Sequence, residues 1–295
     1  MSDILCIGSV HWDIIGRAPS ALRLGSDVPG RITRNPGGVA LNIAMTLSRL
    51  GLRPALLGVI GRDGEGDDLL AACLRMGLDC THVYRSDDLP TDCYMAIEGA
   101  NGLIAAVADA HSLELAGERV IAALGDGRLG SAEAPFAGLI ALDGNLTGAL
   151  LSDIARSPLF ACADLRLAAA SPGKAERLVP LLDHPRATLY VNLEEAGLIA
   201  KARFAGAAEA ATALLALGAA RVLVTDGGRL VADGRRGQGV ITGHPPPVLV
   251  TRVTGAGDTF MAAHIVAEAR GAARAEALTM ALRAAADHVS GEIGS

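Results

Sequence analysis

Basic residues, aromatic residues and paired cysteines are all scarce in this sequence, and each scarcity removes a class of function. Lysine and arginine number 26 against 32 acidic residues, for a formal charge of −6 at pH 7. General affinity for nucleic acid or an anionic membrane needs clustered Lys and Arg, so neither is an expected partner, and only a local anion site is left open. With one Trp, three Tyr and four Phe in a chain that is 51% hydrophobic, the interior must come mainly from Ala, Leu, Val and Ile, which suits helices packed on a sheet. The five cysteines (Cys6, Cys73, Cys80, Cys93 and Cys162) are odd in number and form no CxxC pair. Reduced, mostly buried thiols are therefore expected, rather than a disulfide framework or a metal site. The N-terminus has no basic segment ahead of its apolar run, and no apolar run reaches membrane-spanning length, so the chain reads as cytoplasmic. GxxxxGK[ST] is absent, and Gly8 has no GxGxxG partners, which disfavours a Walker P-loop and a Rossmann dinucleotide site.

What is present is an alternation of strand and helix signals. Its length of 295 residues allows one large α/β domain or a core with a small appendage. Ile4 to Ile7 reads as a buried strand ending at Gly8, and Ile43, Leu47 and Leu50 recur at helical spacing before Gly51. A strand at 55–59 and a helix at about 66–76, stopped by Gly77, continue the pattern of a parallel sheet. Between about 80 and 110 it breaks: Cys93 to Val107 reads as two short strands joined by the turn Gly99-Ala100-Asn101-Gly102. The irregular stretch from Asp13 to Asn35 can pair with this hairpin, so a small β lid is expected from segments at about 13–35 and 90–110. The alternation then resumes, with strands at 139–142, near 159–163 and at 188–191, and helices near 147–156 and at 207–217. A strand from Arg221 runs into a tight turn at Gly227-Gly228, and everything after Asp258 reads as Ala-rich helix.

Four stretches carry chemistry. In Thr254-Gly255-Ala256-Gly257-Asp258, small residues let the backbone approach a ligand closely and the helix that follows aims free N–H groups outward, an arrangement that binds anions. Asp258 would lie in the first helical turn, where the dipole favours its ionised form. It can cap the helix or accept a proton, and the spacing alone does not separate the two. In phosphoryl transfer, catalysis is largely positioning and electrostatics, so a carboxylate of low pKa suffices as base. Gly37-Gly38 before Asn42 forms a second loop-to-helix junction, readable as a ligand contact or as an ordinary turn. Asp13, just beyond the first strand, stands where α/β sheets present ligand contacts and can grip vicinal hydroxyls; a solvated turn residue is the alternative. Asn192 and Glu195 fit either a capping box or a magnesium ligand at a helix start.

Taken together, Gly37-Gly38-x-x-x-Asn42, Asn192-x-x-Glu195, Gly227-Gly228 and Gly255-Ala256-Gly257-Asp258, in that order, resemble the PfkB or ribokinase-like carbohydrate kinases along nearly the whole chain. Gly8-Ser9 with Asp13, Pro29-Gly30-Arg31-Ile32, Pro36 to Val39, Leu142-Asp143-Gly144-Asn145 and Val253-Thr254 are most similar to the pseudouridine kinases of that family. The resemblance implies a Rossmann-like, doubly wound, mainly parallel sheet carrying a β lid that often pairs between subunits, here as a homodimer. It implies ATP held near Asn192, Thr225, Gly227 and Gly228, and Mg²⁺ near Glu195. Asp13, Gly37, Gly38 and Asn42 would bind the ribose, with Asp143 and the lid candidates Tyr94, Ala96 and Asp109 also near the substrate. The amides of Gly255, Ala256 and Gly257 would form an anion hole, and Asp258 would deprotonate the 5′-hydroxyl. Several positions depart from the family pattern. Arg252 stands at the usual monovalent-cation (K⁺) site, His11 replaces an Asn, Tyr190-Val191 replaces Lys-Pro, and the chain ends at Ser295, soon after the helix that borders the adenine pocket. The alternatives that stay open are another sugar or nucleoside kinase of the family (ribokinase-, fructokinase- or adenosine kinase-like) and a ligand-binding regulator without turnover.

Overall fold

A computed structural model describes residues 2–23, 25, 27–251 and 254–291. Arg252, at the expected K⁺ site, Val253 and Ser295 lie outside the described residues.

The short apolar runs of the sequence become the centre of an eight-stranded sheet. In chain order its strands are β1 (Ile4–Ile7), β4 (Pro54–Leu57), β9 (Leu139–Asp143), β10 (Asp164–Ala168), β11 (Ala187–Asn192), β12 (Arg221–Thr225), β13 (Val231–Arg235) and β14 (Gly239–Gly243). They lie side by side as β14-β13-β12-β11-β10-β9-β1-β4. From β4 to β12 every pairing is parallel, and β13 and β14 extend the edge antiparallel. Strands buried on both faces read as continuous apolar runs, and β1 shows why. Leu5 and Ile7 enter one core with helices α3 (His111–Ala116), α4 (Gly148–Arg156), α5 (Leu193–Ala200) and α6 (Ala207–Ala216). Ile4 and Cys6 enter the other, with α1 (Val39–Arg49), α2 (Gly64–Arg75), α7 (Ala256–Ala269) and α8 (Arg274–Ser290). The sheet is thus doubly wound, as the sequence implied.

A second sheet of four strands, ordered β3-β2-β7-β8, is built from β2 (His11–Arg17), β3 (Arg31–Gly37), β7 (Cys93–Gly99) and β8 (Gly102–Asp109). The hairpin closes at 99–102, and β2 pairs parallel with β7 and antiparallel with β3. Two short strands, β5 (Val59–Gly61) and β6 (Tyr84–Ser86), form a separate parallel pair.

Three expectations need correction. The strand near 159–163 is a 3₁₀ turn over Pro158–Phe160 instead; the proline starts it and Phe160 is fully buried. The strand itself lies at Asp164–Ala168, where Arg166 interrupts the apolar signal. The strand at 55–59 is broken at Gly58, between β4 and β5. The thiols are less buried than expected: Cys6 and Cys73 are buried, Cys80 and Cys93 are half-buried, Cys162 is exposed, and all are free.

Candidate active site

The site is assembled at the carboxyl end of β1. The chain leaves β1 at Gly8 (φ 148°), where a Cβ would sit 2.2 Å from that of Asp143, so the close approach of β1 to the end of β9 requires glycine. Asp143 is fully buried. Its Oδ2 accepts from the Ser9 amide at 2.8 Å and from the Ser9 hydroxyl, and its Oδ1 accepts from the Asn145 amide and Nδ2, each at 2.8 Å. Asp143 was expected to meet the substrate; with four protein donors on its two oxygens it ties two strand ends together instead. Ser9 Oγ in turn accepts from the Val39 amide at 2.9 Å, which fixes the first turn of α1.

That placement brings Gly37 against Asp13 and Gly38 against the backbone of Ser9. A Cβ on Gly37 would lie 2.3 Å from the Asp13 carboxylate, and one on Gly38 (φ 102°) would lie 2.4 Å from the Ser9 carbonyl oxygen. Position 38 therefore demands glycine, while any side chain at 37 would push the Asp13 carboxylate out of place. His11 Nδ1 lies 3.2 Å from Asp13 Oδ1. In the register of the four-stranded sheet Asp13 stands between Asn35 and Tyr94. Burial raises the Tyr94 pKa, and the charges of Asp13 and Glu98 add to the rise. Ala96, the next candidate along that face, is buried. Asp109 is not brought to this group. It pairs with Cys93 and so belongs to the opposite face of the sheet from Asp13, where it sits 2.8 Å from His111 Nδ1.

Asp258 reaches the same place from the far end of the chain. Gly255 (φ 81°) caps α7, and the first helical bond runs from the Thr259 amide to the Gly255 carbonyl at 2.9 Å. The amides of Ala256 and Gly257 come before that bond, and a Cβ on Gly257 would meet nothing within 4 Å, so this end of α7 is open to a ligand. Asn42 Nδ2 donates to Asp258 Oδ2 at 3.0 Å, across 216 positions of sequence. The low pKa expected from the helix dipole is corrected. Burial pushes the Asp258 carboxyl up to about 7; the Asn42 hydrogen bond opposes the rise, and the charges of Asp143, Glu195 and Asp13 add to it. A dipole acting over one turn is outweighed by removal from water beside like charges.

Asn192 and Glu195 form the capping box of α5: Asn192 Oδ1 accepts from the Glu195 amide and Glu195 Oε2 from the Asn192 amide, both at 2.8 Å. Burial nevertheless raises the Glu195 pKa; the Asn192 amide opposes this and the charge of Glu194 adds to it. Glu195 is thus a buried carboxylate short of positive charge. Thr225 pairs with Asn192 between β12 and β11, and its hydroxyl lies 3.5 Å from the Val191 carbonyl. The turn beyond it carries Gly227 (φ 57°) and Gly228, around which a Cβ would meet nothing within 4 Å. Among the described residues no three His, Cys, Asp or Glu side chains cluster as a ready-made metal cage.

A cavity of about 430 Å³ runs from Asp13 and Asn42 past Thr254 and Gly255, and is also lined by Met45, Thr46, Arg49, Met76, Thr259 and His288. Of these last six, Thr259 continues the Thr254–Asp258 stretch, and the other five belong to no motif of the sequence. Met45, Thr46 and Arg49 follow Asn42 at three, four and seven positions and so share its helix face; that periodicity was a usable signal. His288, near the end of α8, has no such signal.

A doubly wound sheet with a second, four-stranded sheet beside the carboxyl end of β1 is the architecture of the ribokinase-like carbohydrate kinases. Over all of this chain and 94% of its own, a carbohydrate kinase from Agrobacterium tumefaciens superposes with a TM-score of 0.81 at 28% identity. A structure of Arabidopsis thaliana ribokinase complexed with ribose and ATP matches 98% of this chain and 92% of its own, with a TM-score of 0.79 at 20% identity. The chain belongs to the pfkB family of carbohydrate kinases, whose family model matches residues 1–291. The pseudouridine kinase of Arabidopsis thaliana is 31% identical over 100 residues, 34% of this chain and 26% of its own length. That of Escherichia coli (strain K12) is 36% identical over 75 residues, 25% of this chain and 24% of its own. These alignments span only about a quarter of either curated relative.

Proposed function

We propose that this protein transfers the γ-phosphoryl group of ATP to the 5′-hydroxyl of pseudouridine, giving pseudouridine 5′-phosphate. The observation that carries the kinase reading is the meeting of Asp258 and Asn42 at 3.0 Å beside the open end of α7, where Asn42 lines one cavity with Asp13 and Gly255. A carboxylate whose pKa lies near 7 is matched to taking a hydroxyl proton at neutral pH. In this reading Asp13 and Asn42 hold the ribose hydroxyls, Gly37 and Gly38 let the sugar approach the backbone, and the amides at 255–257 receive the charge of the moving phosphoryl group. Asn192, Thr225, Gly227 and Gly228 hold the nucleotide. Mg²⁺ takes phosphate oxygens and waters together with one or two carboxylates, and the charge-poor Glu195 suits it, directly or through water. When bound, the ion would neutralise charge on the phosphates. The choice of pseudouridine rests on the sequence likeness to pseudouridine kinases and on the two curated matches of that name.

The test is a screen of pseudouridine, uridine, adenosine, ribose and fructose with ATP and Mg²⁺, read as ADP release. Pseudouridine should give the highest kcat/KM. A wide preference for ribose, fructose or adenosine would move the assignment elsewhere in the family, and no turnover with any acceptor would favour a ligand-binding regulator.

The four-stranded sheet acts, in this proposal, as a lid over the acceptor and as a dimer surface. Asp13, Tyr94 and Ala96 share one face; the registers put Ile32, Met95, Ile97 and Val107 on the other, all of them exposed. An exposed apolar sheet face of this kind is a surface for association. Sedimentation should give a homodimer, and Val107→Asp should shift it to monomer; identical sedimentation of the two proteins as monomers would refute the dimer.

A further inference from the structure

The last turn of α8 meets the segment that leads into α7. His288 Nε2 lies 2.9 Å from the Thr254 carbonyl oxygen. A carbonyl only accepts, so Nε2 carries the hydrogen and donates it. The imidazole also lies against Gly255: a Cβ there would be 3.3 Å from His288 Nε2 and 3.4 Å from Cε1. One residue further along α8, the Val289 carbonyl accepts from the Thr251 amide at 2.8 Å and from its hydroxyl at 3.1 Å. The segment entering α7 is therefore held at Thr251 and at Thr254, both times by the end of α8. Gly255 sits in the left-handed region, so the orientation of its two flanking peptide planes sets where the next amides point.

We infer that His288 is a positioning residue for phosphoryl transfer: it fixes the Thr254–Gly255 turn, and through it the aim of the Ala256 and Gly257 amides. The inference rests on the kinase reading. Hydrogen-bond donors act in catalysis only when already aimed at the place where charge develops, and small misplacements away from the reacting atoms can cost up to about 100-fold in rate. His288 lines the same cavity as Asp13, Asn42 and Gly255, so the imidazole stands within the site rather than behind it.

Two variants separate this role from mere support of α8. Gln places an amide N–H about where Nε2–H stands, whereas Leu fills the space without a donor. With the acceptor that the wild type turns over fastest, His288→Leu should lower kcat about tenfold or more while the KM for ATP stays within about twofold, and His288→Gln should restore most of the rate. Circular dichroism and thermal melts of each variant check the fold. A His288→Leu protein with wild-type kcat overturns the inference, as does a rate loss that follows the melting temperature and is not recovered by His288→Gln. Absence of turnover in the wild type is a separate result: it removes the kinase reading itself.

Discussion

Asp258→Asn should lower kcat by at least about 100-fold, the size expected for loss of a general base, and should leave ATP affinity nearly unchanged. The substitution keeps the shape and an acceptor for Asn42 Nδ2, so the cavity is not remodelled. What disappears is a group that can take the acceptor proton. The pH profile gives a second check. With the pKa raised to about 7 by burial first and neighbouring carboxylates after it, log kcat/KM of the wild type should climb with pH up to about 7 and then level off. Stability should move the opposite way. An Asp titrates near 3.9 in an unfolded chain, so between about pH 4 and 7 the folded state holds this proton more tightly, and ionising the group costs stability as pH rises through that window. Asn cannot ionise. Asp258→Asn should therefore melt higher than the wild type at pH 8, by about 2–4 °C if about 1 kcal/mol is recovered, and the gap should close toward pH 4. A gap of equal size at both pH values would show that the carboxylate is not held in its protonated form by its surroundings, and a variant with more than a tenth of wild-type kcat would remove Asp258 from the role of base.

How much of this could be read from the sequence depended on whether the controlling forces were local. Gly37-Gly38 before α1 and Gly255 before α7 are legible because a backbone turn and a close approach dictate the residue on the spot. Strands β1 and β9 are legible because burial on both faces leaves an unbroken apolar run. Strand β10 was displaced and β13 was not anticipated for the opposite reason. Arg166 sits in one and Asp233 and Gly234 in the other, residue types that argue against a buried strand unless their distant partners are known. The Asp258 pKa belongs to the same class. The helix start is visible in sequence, but the burial and the carboxylates at 13, 143 and 195 that overrule the dipole converge only in the fold. Asp143 and Asp109 illustrate the limit for site residues. Both follow strand patterns that suggest the site, yet one is consumed by four protein donors and the other falls on the opposite face by register.

The partners that hide β10 and β13 also fix α7 to the sheet, and removing their hub should have the largest effect on stability. Glu268 accepts from Arg166 Nη1 at 2.5 Å and from Arg221 Nη1. Arg166 is held as well by Asp164, and Arg221 by the fully buried Asp233, which Arg274 also reaches at 3.0 Å. Arg221 Nη2 lies 3.2 Å from His264 Nε2, and a guanidinium only donates. His264 therefore carries its hydrogen on Nδ1 and donates it to the Tyr190 hydroxyl, 2.8 Å away. Burial opposes ionisation of Glu268, but His264, which is charged only below about pH 4, and the two arginines outweigh it and bring its pKa down to about 2. Glu268→Ala should destabilise the protein by about 3 kcal/mol, the low end for removing one partner of a buried ion pair, because each arginine retains an aspartate. For a chain of this size that is a fall of about 6 °C or more in Tm. A carboxylate held below its unfolded pKa stabilises above about pH 4.5 and loses that contribution as pH falls toward 2, so the difference between wild type and variant should shrink steadily over that range. A Tm loss that is the same at pH 3 and pH 7 would assign the effect to lost packing of the side chain rather than to its charge.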